Sequence, residues 1–330
     1  MQGYVLTRYG GAGAMQLREV PEPTAGAGEV LIRVRAAGLN PIDYKVRRGF
    51  GRVFHLDLPL VAGSELSGEV EAVGAGATRF GIGDRVYARV DKQKLGAYAE
   101  YAVVDENLVA RMPRSLDFDD AAGLPLAGLT ALQALRGLAI TPGGGVFISG
   151  GAGGVGTLAI QLAVHMGAKV ATTASPRGEE LVRSLGAQTV IDYRKQKFKE
   201  VLSDYDSAFD TTGGRDLIDI FDILKPGAKA VSVASIDPTT ARDDMGMGRL
   251  LTAAVWAANI KIRRKSRRRG VSYRSLLMHP SGDDLEVLTQ LVDRGQLKPV
   301  TDRVLPFEQL PDAFAYLEEG HAKGKVVVRV

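Results

Sequence analysis

One uncharged stretch constrains this 330-residue chain more than any other feature. From Gly137 to Ala168 no side chain carries a formal charge. A run of that length exceeds the roughly 20 apolar residues that span a bilayer. Its interior argues against a span. Eight glycines fall between Gly143 and Gly156, and Thr141-Pro142 interrupts the run. It resolves instead into a short buried strand, Gly145-Val-Phe-Ile-Ser149, a glycine turn, and a helix from Thr157 to His165. That order is the opening of a βαβ unit.

The alternation continues beyond His165. Lys169 to Ser175 reads as a strand and Glu179 to Leu185 as a helix. Thr189–Asp192, Ser207–Asp210 and Ala230–Ala234 read as further short strands. Strands alternating with helices imply a doubly wound parallel sheet. A helix from Leu126 to Leu138 leads in, so this α/β domain is expected over 126–258. Residues 1–125 have a different texture. Val30–Arg35, Gly68–Val73, Arg85–Val90 and Gly96–Val104 alternate at period two between glycine turns, the pattern of a compact β-rich domain. After 259 come helices expected at Asp283–Arg294 and Asp312–Glu319, then the strand Lys325–Val330. A chain that ends in a strand needs a sheet to join, so 259–330 is expected to rejoin 1–125 as one discontinuous domain.

The glycine turn carries chemistry. Gly151-Ala152-Gly153-Gly154-Val155-Gly156 fits G-x-G-x-x-G between a strand and a helix. One glycine permits the tight turn, one lets backbone approach a pyrophosphate, and one lets helix pack closely on strand. The free N–H groups and positive helix end receive phosphate. The end of the next strand separates the two nicotinamide cofactors. An acid there would hold the adenine ribose 2′-hydroxyl. Ser175 stands at that place and Arg177 follows, a pair suited to a 2′-phosphate. The sequence therefore predicts NADPH, although Arg177 could also simply open a solvated helix. The open-sheet crevice rule puts Ser232, Val233, Ala234 and Ser235 beside the nicotinamide ribose.

With those residues in place, the chain resembles the zinc-independent medium-chain dehydrogenase/reductases, in the quinone oxidoreductase (zeta-crystallin) and alkenal reductase branch. Pro59-Leu-Val-Ala-Gly63-Ser-Glu65-Leu-Ser-Gly68 is similar to that family's P-x-x-x-G-x-E-x-x-G. Gly81–Val86, Ala127–Gln133, Arg183–Tyr193, Phe209–Gly214, Val304–Glu308 and Gly324–Val328 match later segments in the right order. The resemblance implies a GroES-like fold for the β-rich domain. It also implies cofactor contacts from Thr130, Tyr193, Thr211, Gly213 and Lys325. It gives Asn40, Tyr44 and Lys45 as the lining of the nicotinamide and substrate pocket. Tyr44 and Lys45 are the donors there with acid chemistry; the alternative is a packed tyrosine and a solvated lysine. A homodimer is the family tendency.

One departure is informative. Zinc alcohol dehydrogenases of the superfamily place a histidine before that glutamate, and here the residue is Ser64. The chain has no cysteine and four scattered histidines. No metal is therefore expected, and Glu65 reads as a buried, paired carboxylate. Oxidation of a simple alcohol would lack its usual Lewis acid. Hydride transfer to a conjugated carbonyl or quinone needs less. Alternatives are an NADPH-binding redox sensor with little turnover, or an alcohol dehydrogenase.

The net charge of +4 hints at an anionic partner. It comes from one place, Lys261-Ile-Arg-Arg-Lys-Ser-Arg-Arg-Arg269, and the rest of the chain is slightly acidic. No aromatics interleave this run. It reads as an exposed strand or loop between domains, or a dimer edge, in preference to a nucleic-acid patch. Neither nucleic acid nor membrane is expected as a partner. The N-terminus shows no basic segment followed by an apolar one, so a cytoplasmic protein is expected.

Overall fold

The computed structural model describes all residues, Met1–Val330. The chain opens with strands β1 (Gln2–Leu6), β2 (Met15–Glu19) and β3 (Glu29–Leu39), then helix α1 (Pro41–Arg47). Strands β4 (Leu60–Val61), β5 (Glu65–Val73), β6 (Arg85–Arg89), β7 (Tyr101–Asp105) and β8 (Val109–Arg111) follow. Helices α2 (Phe118–Ala122) and α3 (Pro125–Leu138) lead into a run of alternating elements. These are β9 (Gly145–Ile148), α4 (Gly154–His165), β10 (Lys169–Ala174), α5 (Pro176–Ser184), β11 (Thr189–Asp192), β12 (Tyr205–Asp210), α6 (Gly214–Ile223) and β13 (Leu224–Ser232). Three helices, α7 (Pro238–Asp243), α8 (Arg249–Ala258) and α9 (Ile260–Arg268), precede β14 (Ser272–Ser275). The chain closes with α10 (Gly282–Asp293), β15 (Thr301–Pro306), α11 (Leu310–Glu318) and β16 (Lys325–Arg329). No helix is long and apolar enough to cross a membrane.

Two compact units result, Met1–Leu129 with His279–Val330, and Thr130–Met278. In the first, β16 pairs antiparallel with β3, so the last strand returns to the N-terminal sheet. The sheet runs β15-β16-β3-β5-β6-β8, with β7 also on β3. Val30, Ile32, Val34, Leu66, Val70, Val86 and Val104 form its core, the inward residues of a period-two pattern. On α10, Leu285, Leu288 and Leu291 are buried at helical spacing, and Ser281 caps its start by accepting from the Asp284 N–H at 3.2 Å.

The second unit is one parallel sheet ordered β11-β10-β9-β12-β13-β14. Strand order reverses direction between β9 and β12, the switch point where open α/β sheets bind ligands. Phe147, Ala208, Leu217, Ile220 and Phe221 fill one side of it.

Three expectations need correction. The return to the first unit comes at 279 rather than 259, because β14 adds parallel to β13 as the sixth strand. The basic run 261–269 is the helix α9, not a strand or loop. Its Ile262 packs on the core of the second unit and Ser266 is buried, an inward stripe at i and i+4. Asp222 on α6 then holds Lys265 at 2.5 Å and Arg269 at 2.6 Å. Finally, of the segment 96–104 only Tyr101–Val104 lie in a strand, β7. Ala97 and Tyr98 hydrogen-bond back to Gly63 and Ala62 instead.

Candidate active site

The cofactor crevice is built at the carboxyl ends of β9, β10, β12 and β13. Gly151 and Gly156 are glycines because nothing else fits. A Cβ on Gly151 would lie 2.2 Å from Thr172 Oγ1, and one on Gly156 would lie 2.3 Å from the Gly150 carbonyl oxygen. The Gly153 position is different: a Cβ there would meet only the Gly150 oxygen, at 3.4 Å. Its bare side is therefore open. Gly150 N–H donates to Thr173 Oγ1 and Gly151 N–H to the Thr173 carbonyl, both at 3.0 Å, tying the turn to β10. The first-turn N–H groups of Gly154, Val155 and Gly156 have no carbonyl four residues back inside α4. Ala152 sits close to Gly178 of α5, where a Cβ would come within 2.8 Å of the alanine methyl.

Asp210, at the end of β12, pins the other strand ends. Its buried carboxylate accepts from Ser149 Oγ (3.0 Å), Ser232 Oγ (2.6 Å) and the Gly213 N–H (2.9 Å). Thr211 donates its backbone N–H to Ser149 Oγ (2.8 Å) and its hydroxyl to the Ser149 carbonyl (2.7 Å). Val233 N–H donates to the Asp210 carbonyl at 3.0 Å. Ser149, Thr211, Gly213, Ser232 and Val233 are thereby one construction. Ser232 is fully buried and committed to Asp210, so its hydroxyl shapes the crevice floor rather than lining it. Ala234 is exposed; Ser235 exchanges a short hydrogen bond with Tyr273 on β14. Burial pushes the Tyr273 phenol up to about 12, so it stays a donor at neutral pH. Ser149, Asp210 and Tyr273 were not singled out from sequence, because their partners lie on other strands.

At the end of β10, Ser175 is half-buried as the N-cap of α5 and Arg177 is exposed in its first turn. That first turn also carries Glu179, which pairs with Arg183 one turn on. Tyr193, just past β11, is 59% exposed with Arg194 over its ring. Thr130 is buried on α3.

The first unit holds a second polar centre. Glu65 is fully buried. Its Oε1 accepts from Lys325 Nζ and from Asn40 Nδ2, both at 2.7 Å. Its Oε2 accepts from the Leu126 N–H at 2.6 Å, at the start of α3. Lys325 also donates to the Leu39 carbonyl at 2.9 Å and to Asn40 Oδ1. All three ammonium protons are thus used within the first unit. That corrects the expectation for Lys325, which has no donor left for a cofactor phosphate. Asn40 is 2% exposed; its amide donates to Glu65 Oε1 and accepts from Lys325, so it belongs to this centre and ties the start of α1 to it. Gly38 makes this possible, since a Cβ there would lie 2.3 Å from Glu65 Oε1.

Tyr44 and Lys45 stand on α1, half-buried and exposed respectively. Burial, with Glu318 nearby, raises the Tyr44 phenol above its ordinary value despite the Arg48 guanidinium 5.3 Å from its ring centre. It remains a proton donor at neutral pH. Glu318 of α11 pairs with both Arg47 and Arg48, which fixes α1.

Known proteins place these features. Residues 26–114 match the alcohol dehydrogenase GroES-like domain, and 185–328 match the family described as zinc-binding dehydrogenase. The chain is 37% identical to the chloroplastic NADPH-dependent alkenal/one oxidoreductase of Arabidopsis thaliana, over 99% of this chain and 79% of that one. It is 36% identical to the mitochondrial NAD(P)H oxidoreductase RTN4IP1 of Danio rerio, over 92% of this chain and 84% of that one. The quinone oxidoreductase from Coxiella burnetii superposes with a TM-score of 0.87 at 32% identity, covering 100% of this chain and 99% of that one. Zinc, which one family description implies, does not fit the donors present. Ser64 precedes Glu65, both Glu65 oxygens are taken, and no three His, Cys, Asp or Glu side chains converge. A nicotinamide dinucleotide does fit, on the glycine turn and the open switch point.

Proposed function

Because the chain belongs to the quinone oxidoreductase and alkenal reductase branch of the medium-chain dehydrogenases/reductases, we propose that it is an NADPH-dependent reductase of conjugated carbonyls or quinones. The observation that carries the reading is the glycine cradle at the switch point, beside a second strand that ends in Ala174-Ser175 rather than an acid. Gly151 to Gly156 and the α4 N-terminus would hold the pyrophosphate. Ser175 and Arg177 would take the 2′-phosphate, with Tyr193 on the same edge. Ala234 and Ser235 would border the nicotinamide ribose. When bound, the cofactor supplies hydride to the β-carbon of an enone or to a quinone.

The chain's own task is to bind, orient and stabilise. Negative charge gathers on the acceptor's carbonyl oxygen, and hydrogen-bond donors stabilise it there. Tyr44 and Lys45 are the donors we assign to that oxygen. Tyr44, held protonated by burial, is the group we assign to return a proton. Tyr44→Phe should lower kcat about a hundredfold, the low end for a general acid, and leave the NADPH Kd unchanged. An unchanged kcat would hand the proton to water.

Cofactor preference tests the binding half. Arg177→Ala should raise the KM for NADPH roughly ten- to a hundredfold, the value of a charge-assisted contact, with the KM for NADH unmoved. If the parent enzyme uses NADH as well as NADPH, the 2′-phosphate assignment fails.

A further inference from the structure

Helix α8 reads Arg-Leu-Leu-Thr-Ala-Ala-Val-Trp-Ala-Ala, and none of its ten residues is buried. Leu250 is 89% exposed, Leu251 62% and Trp256 48%. Leu250, Ala254 and Ala257 form one stripe at helical spacing. A contiguous apolar surface of this kind in water marks an interaction site. Its neighbour has the opposite character. Lys261, Arg264, Arg267 and Arg268 of α9 are exposed and have no carboxylate partner, in contrast to Lys265 and Arg269 on Asp222. Arg263 lies over the Trp256 ring at 5.2 Å, joining the two helices. From Pro238 to Arg269 the only acids are Asp243 and Asp244, and Arg242 pairs with Asp243.

We propose that α8 and α9 dock this protein on the surface of an anionic lipid bilayer. Leu250, Leu251 and Trp256 enter the boundary between headgroups and acyl chains, and the α9 cations meet lipid phosphates. Charge complementarity selects this occupant. A nucleic acid would satisfy the cations and leave Leu250 and Leu251 in water. A second copy, meeting this patch about a twofold axis, would bring the cations of both chains together. The absence of a membrane-crossing helix is no obstacle to a surface contact. The inference goes beyond the reductase reading and does not depend on it.

The test uses the full chain and vesicles of phosphatidylcholine, with and without phosphatidylglycerol. Trp256 is the sole tryptophan, so its fluorescence reports the patch directly. Anionic vesicles should pellet the protein at least about tenfold better than neutral ones, with a blue shift of Trp256 and sensitivity to salt. Leu250→Asp with Leu251→Asp should abolish both signals, and the unfolding midpoint should hold because neither side chain is buried. Arg264→Glu with Arg268→Glu should do the same by charge, as a check if the first pair fails to fold. No preference for anionic vesicles overturns the proposal. So does pelleting that survives Leu250→Asp/Leu251→Asp, which would mean a polyanion patch. So does a blue shift that follows protein concentration without vesicles, which would mean self-association.

Discussion

Lys325→Met is expected to destabilise the protein by about 3–5 kcal/mol, the usual result of removing one partner from a buried ion pair. Glu65 would keep two hydrogen bonds and lose the only cation it touches, at zero exposure. The loss would be felt where β16 returns to the first sheet, and with it the start of α1 and of α3. Urea unfolding followed by a probe of the first unit measures it. Glu65→Gln with Lys325→Met removes the charge from both sides and should recover a large part of the loss, a coupling that a double-mutant cycle reads directly. A loss below about 1 kcal/mol, the range of exposed pairs, would mean that the centre is hydrated and not structural.

Gly156→Ala should remove cofactor binding and also weaken the fold. The new methyl would lie 2.3 Å from the Gly150 oxygen and 2.7 Å from Gly151 Cα, and both are backbone. Overpacking of this kind costs about 1–3 kcal/mol, and it is relieved only by opening the turn. NADPH affinity should fall at least about a hundredfold, since the pyrophosphate depends on that backbone. Gly153→Ala separates the two effects. Its methyl meets the Gly150 oxygen only at 3.4 Å, so stability should hold. It points to the open side, so affinity should still drop. Titration of NADPH fluorescence beside thermal unfolding distinguishes the variants. Equal behaviour of the two would contradict the assignment of pyrophosphate to the open face.

The parts of this molecule that a reader of the sequence can see are local. The cradle from Gly151 to Gly156 declares itself because strand, turn and helix are contiguous and each glycine has a steric reason. The missing acid at Ser175 is legible for the same cause. Features paired across the chain stay hidden. Asn40, Glu65 and Lys325 meet from three distant segments, and Asp210 gains its role only when β9 and β13 flank β12. Two local patterns also mislead. Ile260 and Ile262 alternate like a strand, yet Ile262 and Ser266 share the inward face of a helix. Gly96 to Val104 alternates throughout, yet its first half bonds to Ala62 and Gly63 and makes only an isolated bridge to β1, Ala99 opposite Gly3. Alternation marks a strand only where the pairing with a neighbouring strand is continuous.

Hydride transfer from NADPH to an activated acceptor, on a framework whose donors do not suit zinc, has one most direct test. It is steady-state NADPH consumption by enzyme dialysed against a chelator, offered 2-alkenals, cyclic enones and quinones. A parallel assay offers saturated alcohols with the oxidised cofactor. Turnover of at least one conjugated acceptor class is expected, unaffected by the chelator, and none of the alcohols. Alcohol oxidation that the chelator abolishes, with no NADPH consumption on any conjugated acceptor, would contradict it.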